Sequence, residues 1–284
     1  MHGESMSVVI CVRNVMALLR NSLPTIKQQL PRAEIIVVDG DSTDGTVEFA
    51  RTIAEKVISD EKRGLAYARQ LGINNATRPF VAFVGPDNIV SAEMMYAMQH
   101  ALEKDPMLAA VAPQTEVIDA HSYWECATKY IFQYFINHPG PVDVVGTPCM
   151  YKRDVVSRIQ YDPKIRAAGD DTDLSLRLME AGYTLAIIDA YTQEKNELDA
   201  GAFRGRWRWY GRGDAEFYTK HRASWSVHRR LRSLLHPFRK YVVRGTLVFF
   251  RQGKFLYIPA LYVAVWSRYR GWWGRARELQ RERA

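Results

Sequence analysis

The chain has 284 residues, of which 47% are hydrophobic and 25% are charged, so it can bury a large core and does not have the composition of a disordered chain. Its three cysteines, Cys11, Cys126 and Cys149, are far apart and form no CxxC pair, which argues against a disulfide framework and against a cysteine zinc site. The first residues lack a basic segment followed by a long apolar run. We therefore expect no secretory signal and a cytoplasmic location.

Charge is divided unevenly along the chain. Residues 203–284 contain 20 Lys and Arg but only 4 Asp and Glu, whereas residues 1–202 contain 19 and 27. This contrast predicts two domains, an acidic body over residues 1–202 and a basic, aromatic C-terminal region over residues 203–284. A basic block of this kind favours an anionic partner, either nucleic acid or a membrane surface. The alternative is that its charges form a solvated helical face.

Short β-branched runs alternate with helical patterns through the N-terminal half. Strands are predicted at 7–12, 33–39, 57–60 and 80–84. Apolar residues recur at helical spacing between the first two strands, and helices are also predicted over roughly 64–76 and 91–104. This alternation predicts an α/β fold with a mainly parallel sheet flanked by helices. In such sheets, ligands bind beyond the carboxyl ends of the strands.

Polar residues follow several of these predicted strands. Asn14 follows the first, Asp39 ends the second, and Asp87 follows the later strand in "FVAFVGPDN". All three could face one crevice, although Asp39 and Asp87 also fit simple turns in segments rich in turn-forming residues. Further acidic residues stand in "GDDTDLSLRLMEAGY", which predicts an acidic loop and an amphipathic helix. Carboxylates at that position also interact favourably with the helix dipole.

Five segments in order resemble the family 2 glycosyltransferases of the GT-A fold: "VVICVRN", "EIIVVDGDSTDGT", "GLAYARQLGINNA", "FVAFVGPDN" and "GDDTDLSLRLMEAGY". The resemblance covers roughly residues 6–190. It implies a Rossmann-like sheet that binds a nucleotide sugar, here a UDP- or GDP-sugar. It also implies transfer of the sugar to an acceptor hydroxyl with inversion at the anomeric carbon.

The resemblance assigns nucleotide-binding roles to several of these positions. Cys11, Arg13 and Asn14 would contact the base and ribose, and Asp39 would accept a hydrogen bond from the base. Arg69, in "ARQ", would approach the nucleotide from the following helix. Without the resemblance, the local sequence predicts a turn role for Asp39 and an exposed helical position for Arg69.

Divalent metal binding is the next implication of the resemblance. The family usually has Asp-x-Asp after the strand at 80–84, but this chain has Gly85 at the first acidic position and retains Asp87 after Pro86. The resemblance implies that Pro86 and Asp87 line the nucleotide-sugar site and that Asp87 binds Mn²⁺ or Mg²⁺. Such ions favour oxygen ligands and keep several waters, so one carboxylate can suffice. A turn role for Asp87 is the alternative.

The resemblance also places the reaction chemistry at the second acidic segment. It implies that Asp171 is the general base, with Asp170 in the neighbouring acidic position and Asp173 at the start of the helix. A direct displacement needs no covalent nucleophile. Processive members of the family carry Gln-x-x-Arg-Trp after the base, and "FRGRWRWYGRGD" does not match it. Non-processive transfer is therefore expected.

The basic C-terminal region interleaves arginines with aromatic residues. Its longest apolar run, at 255–266, has twelve residues and contains Pro259, whereas a membrane-spanning helix needs about 20. The pattern predicts mostly helical structure that docks on an anionic membrane surface at its cytoplasmic face, which favours a lipid-linked acceptor. Packing of the tryptophans onto the rest of the chain is an alternative. Nucleic acid is disfavoured because no recognised nucleic-acid module accompanies the region.

Two other functions compete with this assignment. A non-catalytic membrane or partner-binding protein on a degenerate transferase scaffold is favoured by Gly85 and opposed by the retained Asp171. A sugar-nucleotide nucleotidyltransferase would need a glycine-rich phosphate loop after the first strand, and "CVRNVMALL" contains none.

Overall fold

The computed structural model describes residues 5–195 and 197–282. These residues form two compact units, which we call the sheet unit (residues 5–118, 135–164 and 171–195) and the helical unit (residues 119–134, 165–170 and 197–282). Residues 1–4, on which the predicted location partly rests, lie outside the described residues. Residues 196, 283 and 284, which belong to the two predicted domains, lie outside them as well.

The sheet unit contains one open sheet of nine strands within the described residues. The strands are β1 Met6–Val12, β2 Glu34–Asp39, β3 Lys56–Ser59, β4 Phe80–Phe83, β5 Asn88–Ile89, β6 Leu108–Ile118, β7 Gly140–Pro141, β8 Cys149–Lys152 and β9 Thr184–Lys195. The first four strands along the chain, with order β3-β2-β1-β4, are all parallel, and β8 then pairs antiparallel with both β4 and β6. The sheet continues from β6 through β9 to β5, and β7 pairs with β9.

Helices connect these strands and confirm the predicted α/β alternation. The second helix is short, because the chain leaves it at Ala50 and residues 51–53 form turns. Ile53 still packs against the core although it lies outside the helix. The helices are α1 Met16–Gln29, α2 Thr46–Ala50, α3 Leu65–Asn75, α4 Ala92–Lys104, α5 Tyr123–Phe135, α6 Arg153–Ile159 and α7 Asp170–Glu180.

Hydrophobic clusters cover both faces of the sheet. Val8 and Ile10 of β1 belong to one cluster, which also contains Leu19 and Leu23 of α1. Val9, between them, belongs to the other cluster. Alternate residues of a strand point to opposite faces, so this division explains why β1 reads as a continuous apolar run.

The helical unit is made mainly of the C-terminal part of the chain. Side-chain caps begin two of its helices: Asp199 accepts a hydrogen bond from the backbone N–H of Ala202, and Ser226 from that of Arg229. None of the helices within residues 5–195 and 197–282 is long and apolar enough to cross a bilayer. The helical segments in the C-terminal part of the helical unit are α8 Ala200–His221, α9 Val227–Pro237, a π-helical segment Phe238–Arg244, α10 Gly245–Arg251 and α11 Ile258–Arg281.

Glycines bring α8 and α11 into backbone contact. A Cβ atom on Gly211 would overlap the carbonyl oxygen of Arg268, and one on Gly271 would overlap that of Arg208. Because glycine has only a hydrogen atom in place of a side chain, the backbones of α8 and α11 can approach this closely at these two positions. Ion pairs cross the same seam: Arg212–Glu278, Arg268–Asp214 and Arg275–Glu216.

Tryptophans of the helical unit divide between core and surface. Trp207 is buried, and its ring packs edge-on against Tyr241 at a centroid distance of 4.9 Å. Trp209 and Trp273 are exposed. Trp207 therefore packs inside the helical unit, whereas the exposed indoles have surface available for a partner.

Candidate active site

The carboxyl ends of three neighbouring strands meet at one edge of the sheet. Val12 of β1 lies opposite Asp39 of β2, and Val9 of β1 lies opposite Phe83 of β4, both in parallel register. The segments that follow these strands therefore emerge side by side, as expected at the carboxyl edge of a parallel sheet. Because β8 runs antiparallel to β4, the amino end of β8 at Cys149 lies at this edge too.

Hydrogen bonds connect the loops that follow β1 and β2. The backbone N–H of Asn14 donates to Ser42 Oγ at 2.8 Å, and the N–H of Thr43 donates back to Asn14 Oδ1 at 2.9 Å. Ser42 also donates from its N–H and its hydroxyl to the two carboxylate oxygens of the buried Asp39, at 2.8 and 2.5 Å. Asp39 thus orders this loop as a turn residue does, and its bond to a nucleotide base stays a prediction.

The other residues expected to contact the base and ribose lie beside this network. Cys11 is the half-buried penultimate residue of β1, and the Arg13 side chain packs against Gly40, just after Asp39. Asp60, which the sequence analysis missed, follows β3 and is buried. Burial raises the pKa of the Asp60 carboxyl, partly offset by the N–H of Lys62. The ending "VISD" repeats the pattern of "IIVVD" and could have identified Asp60.

Asp87 lies in the turn that follows β4. The carboxamide oxygen of the buried Asn88 accepts a hydrogen bond from the Gly85 N–H at 2.8 Å and so closes the turn behind Pro86. A Cβ atom on Gly85 would overlap Oδ1 of Asp87. Gly85 therefore leaves room for the Asp87 carboxylate in the position that it occupies.

The half-buried Asp87 carboxylate receives no hydrogen bond from the residues that the structure describes. Within the same residues, no group of three or more His, Cys, Asp or Glu gathers to enclose a metal ion. A single hard oxygen donor fits a divalent cation that takes the rest of its ligands from water and from a bound diphosphate. Asp87 is the residue that would hold such an ion.

Asp171 is held by two side chains on one of its oxygens. Arg69 Nη1 donates to Asp171 Oδ1 at 2.7 Å, and the Tyr161 hydroxyl donates to the same oxygen at 3.2 Å. Arg69 is buried and also donates from Nη2 to Thr147 Oγ1 at 2.7 Å. No described residue donates a hydrogen bond to Oδ2, which faces Gly146. The carboxylate is therefore fixed at one oxygen and available at the other.

Aromatic rings fix this arrangement to the end of β4. The Arg69 guanidinium carbon lies 5.9 Å from the ring centre of Phe83 and 5.7 Å from that of Tyr161. The Tyr161 hydroxyl also lies 3.4 Å from that of Tyr151, and burial raises the pKa of the Tyr151 hydroxyl. The two tyrosines and the arginine thus place Asp171 at the edge shared with the other candidate residues.

Tyr161 and Thr147 carried no sequence signal. Each lies in a segment without a recognised motif. Their hydrogen bonds with Arg69 and Asp171 exist only in the folded chain. Arg69, which the resemblance assigns to the nucleotide, instead pairs with Asp171 in the described residues, so its nucleotide contact stays a prediction.

The remaining acidic residues lie in the first turn of α7. The helix begins at Asp170 itself, so the acidic loop predicted there is already helical. Asp170 is buried, and the fully buried Asp173 accepts hydrogen bonds from Arg177 at 2.9 and 2.7 Å. Asp173 therefore has a structural role at the start of the helix. The helix dipole favours negative charge in this turn, including that of Asp171.

An open α/β sheet whose carboxyl edge gathers polar loops and an anchored carboxylate places the chain among the α/β proteins that bind ligands at this edge. The model of glycosyl transferase family 2 matches residues 7–160, more than half of the chain. The model of glycosyl transferase family group 2 matches residues 88–273. The chain belongs to glycosyl transferase family 2.

Individual relatives agree with this family. A cholesterol galactosyltransferase of Borreliella burgdorferi is 28% identical over 110 residues, which are 37% of this chain and 31% of that protein. The chain spans less than a third of the length of the curated relatives that it matches. The matched share of the relative's length is 14%, 29% and 31% in three of them.

Solved structures share the GT-A fold. The mannosyltransferase PcManGT from Pyrobaculum calidifontis, solved with GDP-Man and Mn²⁺, gives a TM-score of 0.61 at 16% identity, with 92% of this chain and 73% of that chain covered. Residues 1–349 of TarS from S. aureus, solved with UDP-GlcNAc, give a TM-score of 0.55 at 13% identity, with 99% and 92% covered. These likenesses confirm the predicted fold.

Proposed function

We propose that this protein is an inverting, non-processive glycosyltransferase that moves a sugar from a nucleoside-diphosphate sugar to an acceptor hydroxyl. The observation that carries the proposal is the Asp171 carboxylate, held on Oδ1 by Arg69 and Tyr161 while Oδ2 receives no hydrogen bond from a described residue. A carboxylate fixed in this way can accept a proton from a hydroxyl group without losing its orientation.

The proposed reaction is one displacement. Asp171 Oδ2 removes the proton from the acceptor hydroxyl, and the acceptor oxygen forms its bond to the anomeric carbon. The bond between that carbon and the diphosphate oxygen breaks, and its electron pair leaves with the nucleoside diphosphate. Attack from the face opposite the leaving group inverts the anomeric configuration.

A divalent ion, Mn²⁺ or Mg²⁺, would supply positive charge next to the departing diphosphate. Asp87 is the residue that we assign to hold it. We assign donor binding to other residues at the carboxyl edge: Cys11, Arg13, Asn14 and Asp39 would contact the base and ribose, and Pro86 would contact the diphosphate. Mn²⁺ in the PcManGT complex supports a divalent ion here. GDP-Man and UDP-GlcNAc in the neighbouring structures support a GDP- or UDP-sugar as donor.

Donor binding is tested by calorimetric titration of the full chain with UDP, GDP, UDP-GlcNAc and GDP-mannose, in Mn²⁺, Mg²⁺ or EDTA. We expect one nucleotide to bind about 10- to 100-fold more tightly with metal than with EDTA, because charged interactions of this kind are worth about 1.5–3 kcal/mol. Asp87→Asn removes the ligand charge and should abolish this difference.

Asp154→Asn is the matched control for the titration. Asp154 is an exposed carboxylate on α6, away from the candidate site, and lies 3.8 Å from Arg158. Its substitution should leave the metal effect unchanged. Equal metal effects in wild type and Asp87→Asn would refute the assignment of Asp87. Absence of nucleotide binding in every condition would refute the transferase proposal.

The second part of the proposal is docking of the helical unit on an anionic membrane surface at the cytoplasmic face, with a lipid-linked acceptor. Val227, Leu231 and Leu235 recur at helical spacing along α9, and all three are exposed, Val227 at 69%. Arginines of the same helix stand beside them in "VHRRLRSLL". An apolar stripe with adjacent cations suits the interface of a bilayer whose headgroups are anionic. One relative is named a cholesterol galactosyltransferase, and this name supports a lipid acceptor.

Membrane docking is tested by sedimentation with phosphatidylcholine vesicles that contain phosphatidylserine. We expect wild type to sediment with these vesicles and Leu231→Gln/Leu235→Gln to partition about tenfold more weakly or worse, because two leucines no longer enter the apolar layer. Leu18→Gln/Met107→Gln removes two exposed apolar side chains from the sheet unit and serves as the control. A loss of the same size in both variants would contradict docking through α9.

Two observations weigh against the competing functions. Asp171, anchored at one oxygen and available at the other, fits a catalytic role better than a scaffold that only binds a partner. The loop after β1 is closed by Asn14, at a φ of 51°, and not by a run of glycines that could surround a triphosphate, as a nucleotidyltransferase would need.

A further inference from the structure

A cavity of about 230 Å³ lies within the helical unit, between the C-terminal halves of α8 and α11. Its walls include Tyr218, Arg222, Trp272, Trp273, Arg277 and Leu279. The volume is smaller than the roughly 300–1,000 Å³ of sites for drug-sized ligands, so it suits a small headgroup.

The two arginines of the cavity lack the acidic partners that neighbouring arginines have. Arg212 and Arg275 form ion pairs across the α8–α11 seam, and both contact Glu278. The Arg212 hydrogen bond holds the pKa of the Glu278 carboxyl below its usual range, so this acid is already engaged. Within residues 5–195 and 197–282, the guanidinium groups of Arg222 and Arg277 form no salt bridge and no hydrogen bond.

Aromatic and apolar side chains form the other walls. Trp272 packs edge-on against Trp273 at a centroid distance of 5.2 Å and against Tyr218 at 5.8 Å. Trp273 is 59% exposed although an indole is one of the largest apolar groups in proteins. The cavity therefore presents apolar ring surface next to two positive charges that the described residues leave uncompensated.

We propose that this cavity binds a phosphomonoester joined to an apolar or sugar body. A phosphomonoester carries a charge of about −1.5 to −2 near neutral pH, which balances two guanidinium groups. Guanidinium groups also pair with phosphate oxygens through two parallel hydrogen bonds, and the indoles provide flat surface for the attached body. The site lies wholly in the helical unit, and the proposal does not depend on the function proposed for the sheet unit.

Calorimetric titration of the full chain with three soluble probes tests the proposal: inorganic phosphate, glucose 1-phosphate and dihexanoyl phosphatidic acid kept below its micellar concentration. We expect saturable binding of at least one organic phosphate and a rise in the unfolding temperature on its addition. Arg222→Gln/Arg277→Gln should weaken binding about tenfold or more, since each arginine contributes a charged hydrogen bond. Both side chains are exposed, so this variant should fold as wild type does.

Arg239→Gln/Arg251→Gln removes the same charge from exposed positions elsewhere in the helical unit and should bind as wild type does. Preference for phosphatidic acid would identify a lipid headgroup as the ligand, and preference for glucose 1-phosphate would identify a free sugar phosphate. The proposal fails if no probe binds saturably or if Arg222→Gln/Arg277→Gln binds unchanged. It also fails if both double variants weaken binding equally, because general attraction to a basic region would then explain the result.

Discussion

Asp171→Asn is expected to lower kcat about 1,000-fold, within the roughly 10²- to 10⁴-fold contribution of a general base, while donor affinity stays unchanged. Asparagine keeps the shape of the side chain and can still accept hydrogen bonds from Arg69 and Tyr161, but it cannot take a proton from the acceptor. The loss should therefore appear in the chemical step alone. Turnover is measured as release of nucleoside diphosphate from the donor identified by titration, with water and with a bacterial lipid extract as acceptors.

Asp154→Asn provides the matched control for this measurement. Asp154 is an exposed carboxylate in the first turn of α6, where it lies 3.8 Å from Arg158. Its substitution removes one negative charge of the sheet unit without touching the candidate site. Full turnover by Asp171→Asn would show that another group takes the proton. Loss of donor binding together with turnover would assign Asp171 a structural role in place of a catalytic one.

Gly211→Ala is expected to lower the free energy of unfolding by about 3 kcal/mol, at the upper end of the range typical of overpacked positions. The added methyl group would overlap the carbonyl oxygen of Arg268, and backbone atoms cannot rotate away as the end of a side chain can. The helices α8 and α11 would have to separate, which would lengthen the ion pairs across their seam. Urea unfolding followed by circular dichroism measures the change.

Gly274→Ala is the control for Gly211→Ala. Gly274 lies on α11 as well, but among the described residues a Cβ atom there would meet no atom within 4 Å apart from its chain neighbours and the backbone of its own helix. Because alanine favours helix over glycine, this variant should be as stable as wild type or more stable, by up to about 1 kcal/mol. Equal losses in both variants would mean that the glycines act through the helix and not through the contact between α8 and α11.

The sequence predicted the sheet edge well because the signals there are local. Buried β-branched runs identify strands, and a polar residue directly after such a run must emerge at the carboxyl edge of a parallel sheet. Asp39 and Asp87 follow from this rule, and Asp60 satisfies it as well. The basic C-terminal region was equally visible from composition, although its division into buried Trp207 and exposed Trp273 was not.

The sequence by itself determined the α/β alternation, the family and the carboxylates at the strand ends, because these depend on neighbouring residues and on motifs. Only the tertiary structure decided which groups support Asp171: Arg69 stands 102 residues before it, and Tyr161 is brought to the same oxygen. The close approach of Gly211 to α11 was also hidden, since a glycine in a helical pattern looks the same whether it faces solvent or another backbone. Contacts between distant segments depend on how the elements pack, and the residues on each side carry no local trace of their partner.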